Sequence, residues 1–134
     1  MKHFRPRRSV LYSPASQLRY LEKAARLPTD CVVMDLEETV VPEAKEAARA
    51  NVREALRRYN YGHREVIVRV NRIGSPWFED DLRLVAEVKP DAALFPRVES
   101  RQQVIDCVTA LDRDGRLAQL HFPQHANHAA SSGQ

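Results

Sequence analysis

The sequence predicts an α/β fold in which parallel β-strands alternate with α-helices. Two observations support this prediction: short apolar runs recur along the chain, and a segment with helical periodicity follows each of them. The apolar runs lie at residues 10–12, 31–34, 66–68 and 92–95. None of them alternates polar with apolar side chains, which is typical of strands covered on both faces of a parallel sheet. An alternating β-α order indicates parallel strands joined by helical crossovers.

The predicted helices carry an apolar stripe on one face and charged side chains on the other. Residues 43–58 are the clearest case, with Ala48 and Val52 on the apolar stripe and Arg49 and Arg53 on the outer face. The other helices have recognisable start signals. These signals are Ser16 for the first helix, Ser75 followed by Pro76 for the third, and Ser100 with Gln103 as a capping box for the fourth.

Chain length and strand spacing bound the architecture. A chain of 134 residues is expected to form one domain. The spacing of about 30 residues between strands matches a TIM (βα)₈ barrel, because ~250 residues make its eight units. An open, doubly wound sheet would give the same local pattern. We predict a partial barrel of about four βα units in residues 1–118 and a divergent, disordered tail in residues 119–134, and the apolar stretch at 117–120 suits the start of a fifth strand.

The composition is that of an ordinary soluble globular protein, with 43% apolar and 29% charged residues. The first eight residues contain four basic side chains and no acid, which suits a nucleic-acid or membrane arm, a solvated terminus, or arginines that hold an anionic substrate. The chain has no apolar run near the roughly 18–20 residues of a membrane span and no apolar secretory signal. We therefore expect a cytoplasmic protein without nucleic-acid or membrane partners, with Cys31 and Cys107 buried and reduced.

Carboxylates cluster directly after the second apolar run. Asp35, Glu37 and Glu38 place three acidic side chains within four residues. In parallel α/β proteins ligands bind at the carboxyl ends of the strands, so this cluster lies where a site is expected. It could hold a hard cation such as Mg²⁺, directly or through water, or supply a general base. The alternative is an acidic helical turn with a structural salt bridge.

Arginines follow the next two apolar runs. Arg69 ends the third run, where a buried charge needs an anionic partner. That partner could be a ligand carboxylate bound bidentately by the guanidinium, or the acidic cluster at Asp35 and Glu37. Arg97 and Glu99 follow the fourth run, and we expect them to pair with each other or with neighbours.

The same stretches resemble the citrate lyase β-subunit/HpcH-HpaI aldolase family of carbon–carbon lyases. Five motifs match in order, over about residues 7–118. They are residues 8–14 (RSVLYSP, like RS-LFVPG), 34–40 (MDLEETV, like LDLEDAV), 41–49 (VPEAKEAAR, like VxPxxKxxAR), 68–71 (VRVN, like VRVN or VRIN) and 96–100 (PRVES, like PKVES).

The resemblance implies a TIM-barrel, Mg²⁺-dependent lyase that cleaves citryl-CoA, malyl-CoA, citramalyl-CoA or a related thioester by a retro-Claisen or retro-aldol reaction. The products are a 2-oxo acid and an acyl-CoA. It assigns the 2-oxo acid's carboxylate to Arg69 and catalytic roles to Glu37 and Glu38, with Asp35 and Glu37 reaching the metal through water. We also expect the chain to form homo-oligomers.

The sequence departs from the family pattern in several places. Glu38, Ala15 and Arg97 replace the family's aspartate, glycine and lysine. The family's direct metal ligands follow its fifth and sixth strands, and residues 119–123 (QLHFP) contain no such acid. We hypothesise a truncated or frameshifted lyase that is inactive alone and aggregates or dimerises through open strand edges. The alternative is a non-catalytic α/β interaction module that retains the scaffold.

Overall fold

A computed structural model describes residues 9–113 and 120–121, with side chains for residues 9–110. The strands and helices alternate along the chain. The strands are β1 (Val10–Pro14), β2 (Cys31–Asp35), β3 (Glu65–Arg69), β4 (Ala92–Leu94) and β5 (Leu120–His121). The helices are α1 (Leu18–Ala24), α2 (Lys45–Arg58), α3 (Phe78–Val88) and α4 (Arg101–Arg113), and a 3-10 turn at Pro42–Ala44 leads into α2.

The strands form one parallel sheet in the order β1-β2-β3-β4-β5. Each strand pairs with the one before it in the chain, and successive helices pack against one another. A doubly wound sheet instead reverses its strand order at a switch point, so the sequential order favours the wall of a barrel. The predicted α/β class with parallel strands is confirmed.

The two faces of the sheet bury different side chains. Val32 and Met34 of β2 belong to the large core between the sheet and the helices. Cys31 and Val33 alternate with them and join Ile67, Ala92 and Leu94 in a smaller apolar cluster. This burial on both faces explains the continuous apolar runs, since each fully buried aliphatic side chain contributes about 1.5–3 kcal/mol. Cys107 is also buried, so both cysteines behave as small core residues.

Two of the predicted helix caps are wrong. Helix α1 begins at Leu18 after Gln17, and no side chain caps it. Helix α3 begins at Phe78, because Ser75 and the two residues after it are used in turns: the Ser75 N–H donates to the Arg72 carbonyl, and the Phe78 N–H to the Ser75 carbonyl. The Ser100 cap of α4 does form, with the Gln103 N–H donating to Ser100 Oγ at 3.2 Å, but the Gln103 side chain accepts the N–H of Glu99 at 2.6 Å, one residue before the position expected for a capping box.

The end of the chain is described only at β5. Leu120 pairs with Ala93 and His121 with Leu94 in the parallel register, and both strand residues lie within the segment predicted to be a tail. The basic residues 1–8, the predicted strand start at 117–119 and the tail at 122–134 lie outside the described residues. Among the described helices none combines the length and the apolar character needed to cross a bilayer.

Candidate active site at the carboxyl ends of the strands

Asp35 and Arg69 form an ion pair at the carboxyl ends of two neighbouring strands. They are register partners at the last positions of β2 and β3. Arg69 Nε lies 2.8 Å from Asp35 Oδ1, with the aspartate side chain fully buried and 15% of the arginine side chain exposed. The parallel register therefore brings together two side chains that the sequence placed after separate apolar runs.

Asp35 organises the loop that follows β2. Its Oδ1 also accepts the Glu37 N–H at 2.9 Å, and its Oδ2 accepts both the N–H and the hydroxyl of Thr39 at 2.8 and 2.7 Å. Burial alone would raise the pKa of Asp35, but the hydrogen bonds from Arg69, Thr39 and Glu37 outweigh it and lower the pKa to about 2. Both oxygens are thus committed to partners within the chain.

Arg69 also contacts both glutamates of the cluster. Its Nη2 donates to Glu38 Oε1 at 3.4 Å, and its Nε lies 3.8 Å from Glu37 Oε1. Burial would lower the pKa of Arg69, but Asp35 outweighs this effect and the pKa is raised. The internal pairing considered for Arg69 is therefore formed, and its five N–H donors leave capacity for a ligand as well.

Glu37 lies between two arginines. Its Oε2 is 3.6 Å from Arg97 Nε, so Arg97 pairs with Glu37 and not with Glu99. Arg97 has a φ of 56°, a left-handed conformation that costs a non-glycine residue energy and is concentrated at functional sites. Glu37 is 15% exposed and Glu38 is 70% exposed, so the two predicted catalytic acids differ in their access to solvent.

Two further residues enter the site without having been predicted as site residues. The guanidinium of Arg69 lies 4.9 Å from the ring centroid of Tyr12 on β1, within range of a cation–π contact. Lys45, at the start of α2, is 5% exposed. Its Nζ donates to the carbonyls of Leu36 and Glu37 at 2.9 and 2.8 Å. The signal for both residues was their place within the family-like motifs at 8–14 and 41–49.

A buried polar network holds the segments that follow β2 and β3. Asp81 of α3 is fully buried and accepts the N–H and the side-chain amide of Asn71 at 2.8 and 2.6 Å. Arg49 of α2 completes the network at 3.2 Å from Asp81. Burial raises the pKa of Asp81, and the bonds from Asn71 and Arg49 oppose that rise. The prediction that Arg49 lies on the outer face is wrong, because its side chain reaches across to α3.

Glu37 and Arg97 border a cavity of about 440 Å³, whose lining does not include Arg69 or Glu38 among the described residues. Pockets that hold small molecules fall in the range of about 300–1,000 Å³, so this space is large enough for one. Nine side chains line it, including Glu37, Lys45, Asn71, Trp77 and Arg97. The cavity therefore lies between Glu37 of the acidic cluster and Arg97, which follows β4.

The described residues do not form a magnesium site by themselves. Mg²⁺ prefers six oxygen ligands in octahedral geometry. No group of three or more His, Cys, Asp or Glu side chains within the described part of the chain is placed to hold a metal ion. Asp35 is committed to internal hydrogen bonds, and the positive charges of Arg69, Arg97 and Lys45 offset the acids. The three acids Asp35, Glu37 and Glu38 are thus matched by three basic side chains.

The sequence of this chain is similar to a known protein family and to several of its members. A profile of the family described as HpcH/HpaI aldolase/citrate lyase matches residues 8–117. A (3S)-malyl-CoA thioesterase of Cereibacter sphaeroides is 46% identical over 109 residues, covering 81% of this chain and 38% of that protein. An L-malyl-CoA/beta-methylmalyl-CoA lyase of the same species is 34% identical over 125 residues, covering 88% of this chain and 39% of that protein. The chain thus spans well under half the length of these relatives.

A solved structure agrees with the sequence matches. Protein CitE from Mycobacterium tuberculosis, in complex with magnesium and acetoacetate, is similar with a TM-score of 0.61 at 30% identity. The alignment covers 75% of this chain and 41% of that one. This similarity confirms the predicted partial TIM-barrel fold.

Proposed function

Because this chain belongs to the HpcH/HpaI aldolase/citrate lyase family, we propose that it forms part of the active site of a carbon–carbon lyase that acts on CoA esters. The proposed reaction cleaves a 3-hydroxyacyl-CoA, such as citryl-CoA, malyl-CoA or citramalyl-CoA, by a retro-Claisen or retro-aldol step. It yields a 2-oxo acid and an acyl-CoA. We also propose a cytoplasmic location and a homo-oligomeric assembly.

The placement of Arg69 carries this proposal. Its guanidinium is fixed by Asp35 at 2.8 Å and by the Tyr12 ring, at the end of the sheet where barrel enzymes bind substrate. A planar fork held in this way binds a carboxylate bidentately with little loss of side-chain freedom. We assign the carboxylate of the 2-oxo acid to Arg69.

We assign Glu37 and Glu38 to catalysis at the same rim. Cleavage requires a base to accept the proton of the substrate hydroxyl, and Glu38 is the more exposed of the two acids. Glu37, between Arg69 and Arg97, orients the two cations that face the ligand. Magnesium would supply Lewis-acid polarisation of the oxygens of the 2-oxo acid. We assign none of its direct ligands to the described residues, and Asp35 and Glu37 would reach it through water.

Calorimetric titration of the chain with oxaloacetate tests the proposal. We expect weak binding that Arg69→Lys reduces about tenfold, because lysine keeps a charge for Asp35 but loses the fork. Arg101→Lys, an exposed arginine on α4, is the matched control and should bind like the unchanged chain. A chain that binds no 2-oxo acid, or an Arg69→Lys variant that binds equally well, would favour a non-catalytic interaction module.

A coupled assay tests activity directly. We expect negligible Mg²⁺-dependent cleavage of malyl-CoA or citramalyl-CoA by this chain alone, because the described residues lack a direct metal site. Robust formation of glyoxylate or pyruvate by the purified chain would contradict this expectation.

Hydrolysis of the thioester is the second candidate function. The (3S)-malyl-CoA thioesterase is more similar to this chain than the malyl-CoA lyase, at 46% against 34% identity. The two reactions are distinguished by their products, in an enzyme assembled from this chain and the part of a relative that the alignment does not cover. Hydrolysis releases malate and free CoA, whereas cleavage releases glyoxylate and acetyl-CoA.

A further inference from the structure

Lys45 is a buried cation at the edge of the candidate site. It is the first residue of α2, and only 5% of it is exposed. A buried ammonium is costly unless its donors are satisfied. Two of them go to the Leu36 and Glu37 carbonyls, and the ammonium also lies 5.1 Å from the ring centroid of Trp77. The first residue of a helix does not need a buried ammonium with these contacts in order for the helix to begin.

The loop after β2 is held from both sides by side chains of opposite charge. On one side Asp35 accepts the N–H groups of Glu37 and Thr39. On the other side Lys45 donates to the carbonyls of Leu36 and Glu37. The Glu37 N–H therefore donates to the Asp35 carboxylate at 2.9 Å, and the Glu37 carbonyl accepts from the Lys45 ammonium at 2.8 Å.

We propose that Lys45 is a positioning residue, which fixes the backbone of Glu37 and so places the Glu37 carboxylate between Arg69 and Arg97. This proposal rests on the proposed function, because it gives that carboxylate its role. When the peptide groups on both sides of a residue are held by hydrogen bonds, its Cα is fixed in place, and its side-chain carboxylate samples fewer positions.

A second contact to the same loop supports the assignment. Asn71 Nδ2 donates to the Leu36 carbonyl at 3.2 Å, so that carbonyl is shared between Lys45 and Asn71. Asn71 is in turn held by Asp81. Since Asn71 can satisfy Leu36 but does not reach the Glu37 carbonyl, the contact specific to Lys45 is the one to Glu37.

The test compares Lys45→Met with Lys23→Met, an exposed lysine in the last turn of α1. Backbone NMR should show a shifted Glu37 amide signal and faster Glu37 amide exchange, by about tenfold or more, in Lys45→Met alone. Calorimetry should show oxaloacetate binding weakened about 10-fold or more, as for other residues that orient a binding group. Lys23→Met should leave both quantities unchanged.

The outcomes are separable. Unchanged Glu37 amide shifts and exchange in Lys45→Met would overturn the proposal, whether or not the chain binds oxaloacetate. If the unchanged chain does not bind oxaloacetate, the proposed function is rejected instead. The measurement on the Glu37 amide would still decide the role of Lys45. If Lys45→Met does not fold, Lys45→Arg replaces it. Arginine keeps the buried charge but displaces the Glu37 carbonyl, so an unperturbed Glu37 amide in that variant would also overturn the proposal.

Discussion

Asp35 and Arg69 are joined by a bond of 2.8 Å between register partners of β2 and β3. The same aspartate oxygens hold the loop that carries Glu37, so one buried carboxylate fixes both the cation of the site and the acid beside it. Stability and the proposed chemistry therefore depend on the same side chain, and this dependence can be measured in several ways.

Replacement of Asp35 by asparagine should destabilise the fold and remove a pH dependence. We expect a loss of about 2–4 kcal/mol at pH 7, because Arg69 loses its buried partner. The pKa of Asp35 is lowered from 3.8 to about 2, so its contribution is fully present above pH 4 and is lost as the pH falls towards 2. Urea unfolding of both proteins between pH 7 and 2 measures the difference, and Glu99→Gln on the same rim is the control. A difference that stays constant with pH would contradict this prediction.

Arg49→Met should cost far more stability than Arg53→Met, although both arginines link α2 to an acid of α3. Arg49 contacts the fully buried Asp81, and its loss leaves an uncompensated charge, at a cost of about 3 kcal/mol. Arg53 pairs with the exposed Glu87, and such pairs contribute about 0–1 kcal/mol. Urea midpoints compare the two variants, and equal losses would disprove the distinction.

The cost of Arg49→Met should also depend on pH. Burial raises the pKa of Asp81. As the pH falls, this carboxyl group is therefore protonated in the folded state, and the cost of its buried negative charge disappears. The penalty measured at pH 7 should therefore shrink at pH 4.5. A larger penalty at the lower pH would show that Asp81 is not the group left unpaired.

Lys89→Gly should stabilise the protein. Lys89 is the C-cap of α3 and has a φ of 54°, in the left-handed region that glycine adopts without steric cost. We expect a gain of about 0.5–1 kcal/mol, read from the thermal midpoint and from urea unfolding. Lys89→Ala keeps a Cβ and serves as the control, since it should give no such gain. An equal gain from alanine would assign the effect to the lysine side chain instead.

The outer edge of β1 should promote self-association. None of the described strands pairs with that edge, and Val10 on it is 46% exposed. Exposed apolar edges recruit another chain, and a lysine there discourages pairing. Val10→Lys should lower the association measured by analytical ultracentrifugation at micromolar concentration. Ile105→Lys, at an equally exposed apolar residue on α4, should not. If the unchanged chain is monomeric at this concentration, the expectation of self-association through the β1 edge is rejected.

The sequence was sufficient for the fold because the middle of the sheet is buried on both faces. Runs such as residues 31–34 have no polar alternation because side chains on both faces of β2 and β3 lie in apolar clusters. Shorter apolar runs also located β1 and β4, although Val10 and Tyr12 of β1 are exposed. Helix starts were harder to predict. Ser75 has the chemistry of a cap, but its N–H and carbonyl are used in turns, and local residue preference does not reveal such use.

The candidate site was predictable in its position and in the pairing of Arg69 with the acidic cluster, but not in its other pairings. Strand ends located Asp35, Glu37 and Arg69, because parallel strands deliver their carboxyl ends to one rim. Sequence could not show that Arg97 turns to Glu37, since that contact needs the left-handed backbone at Arg97. Nor could it show that Lys45 of α2 is buried and Arg49 half-buried, because long basic side chains usually extend into solvent.

The sequential order of the strands has a consequence for biosynthesis. Each strand after β1 finds its partner in the strand made before it, as Cys31 does with Val10 and Ala92 with Ile67. Contacts between segments made in succession close short loops, at a low entropic cost. The growing polypeptide can thus add one βα unit at a time to a nascent wall as it leaves the ribosome, and the contact between Arg69 and Asp35 requires only β2 and β3.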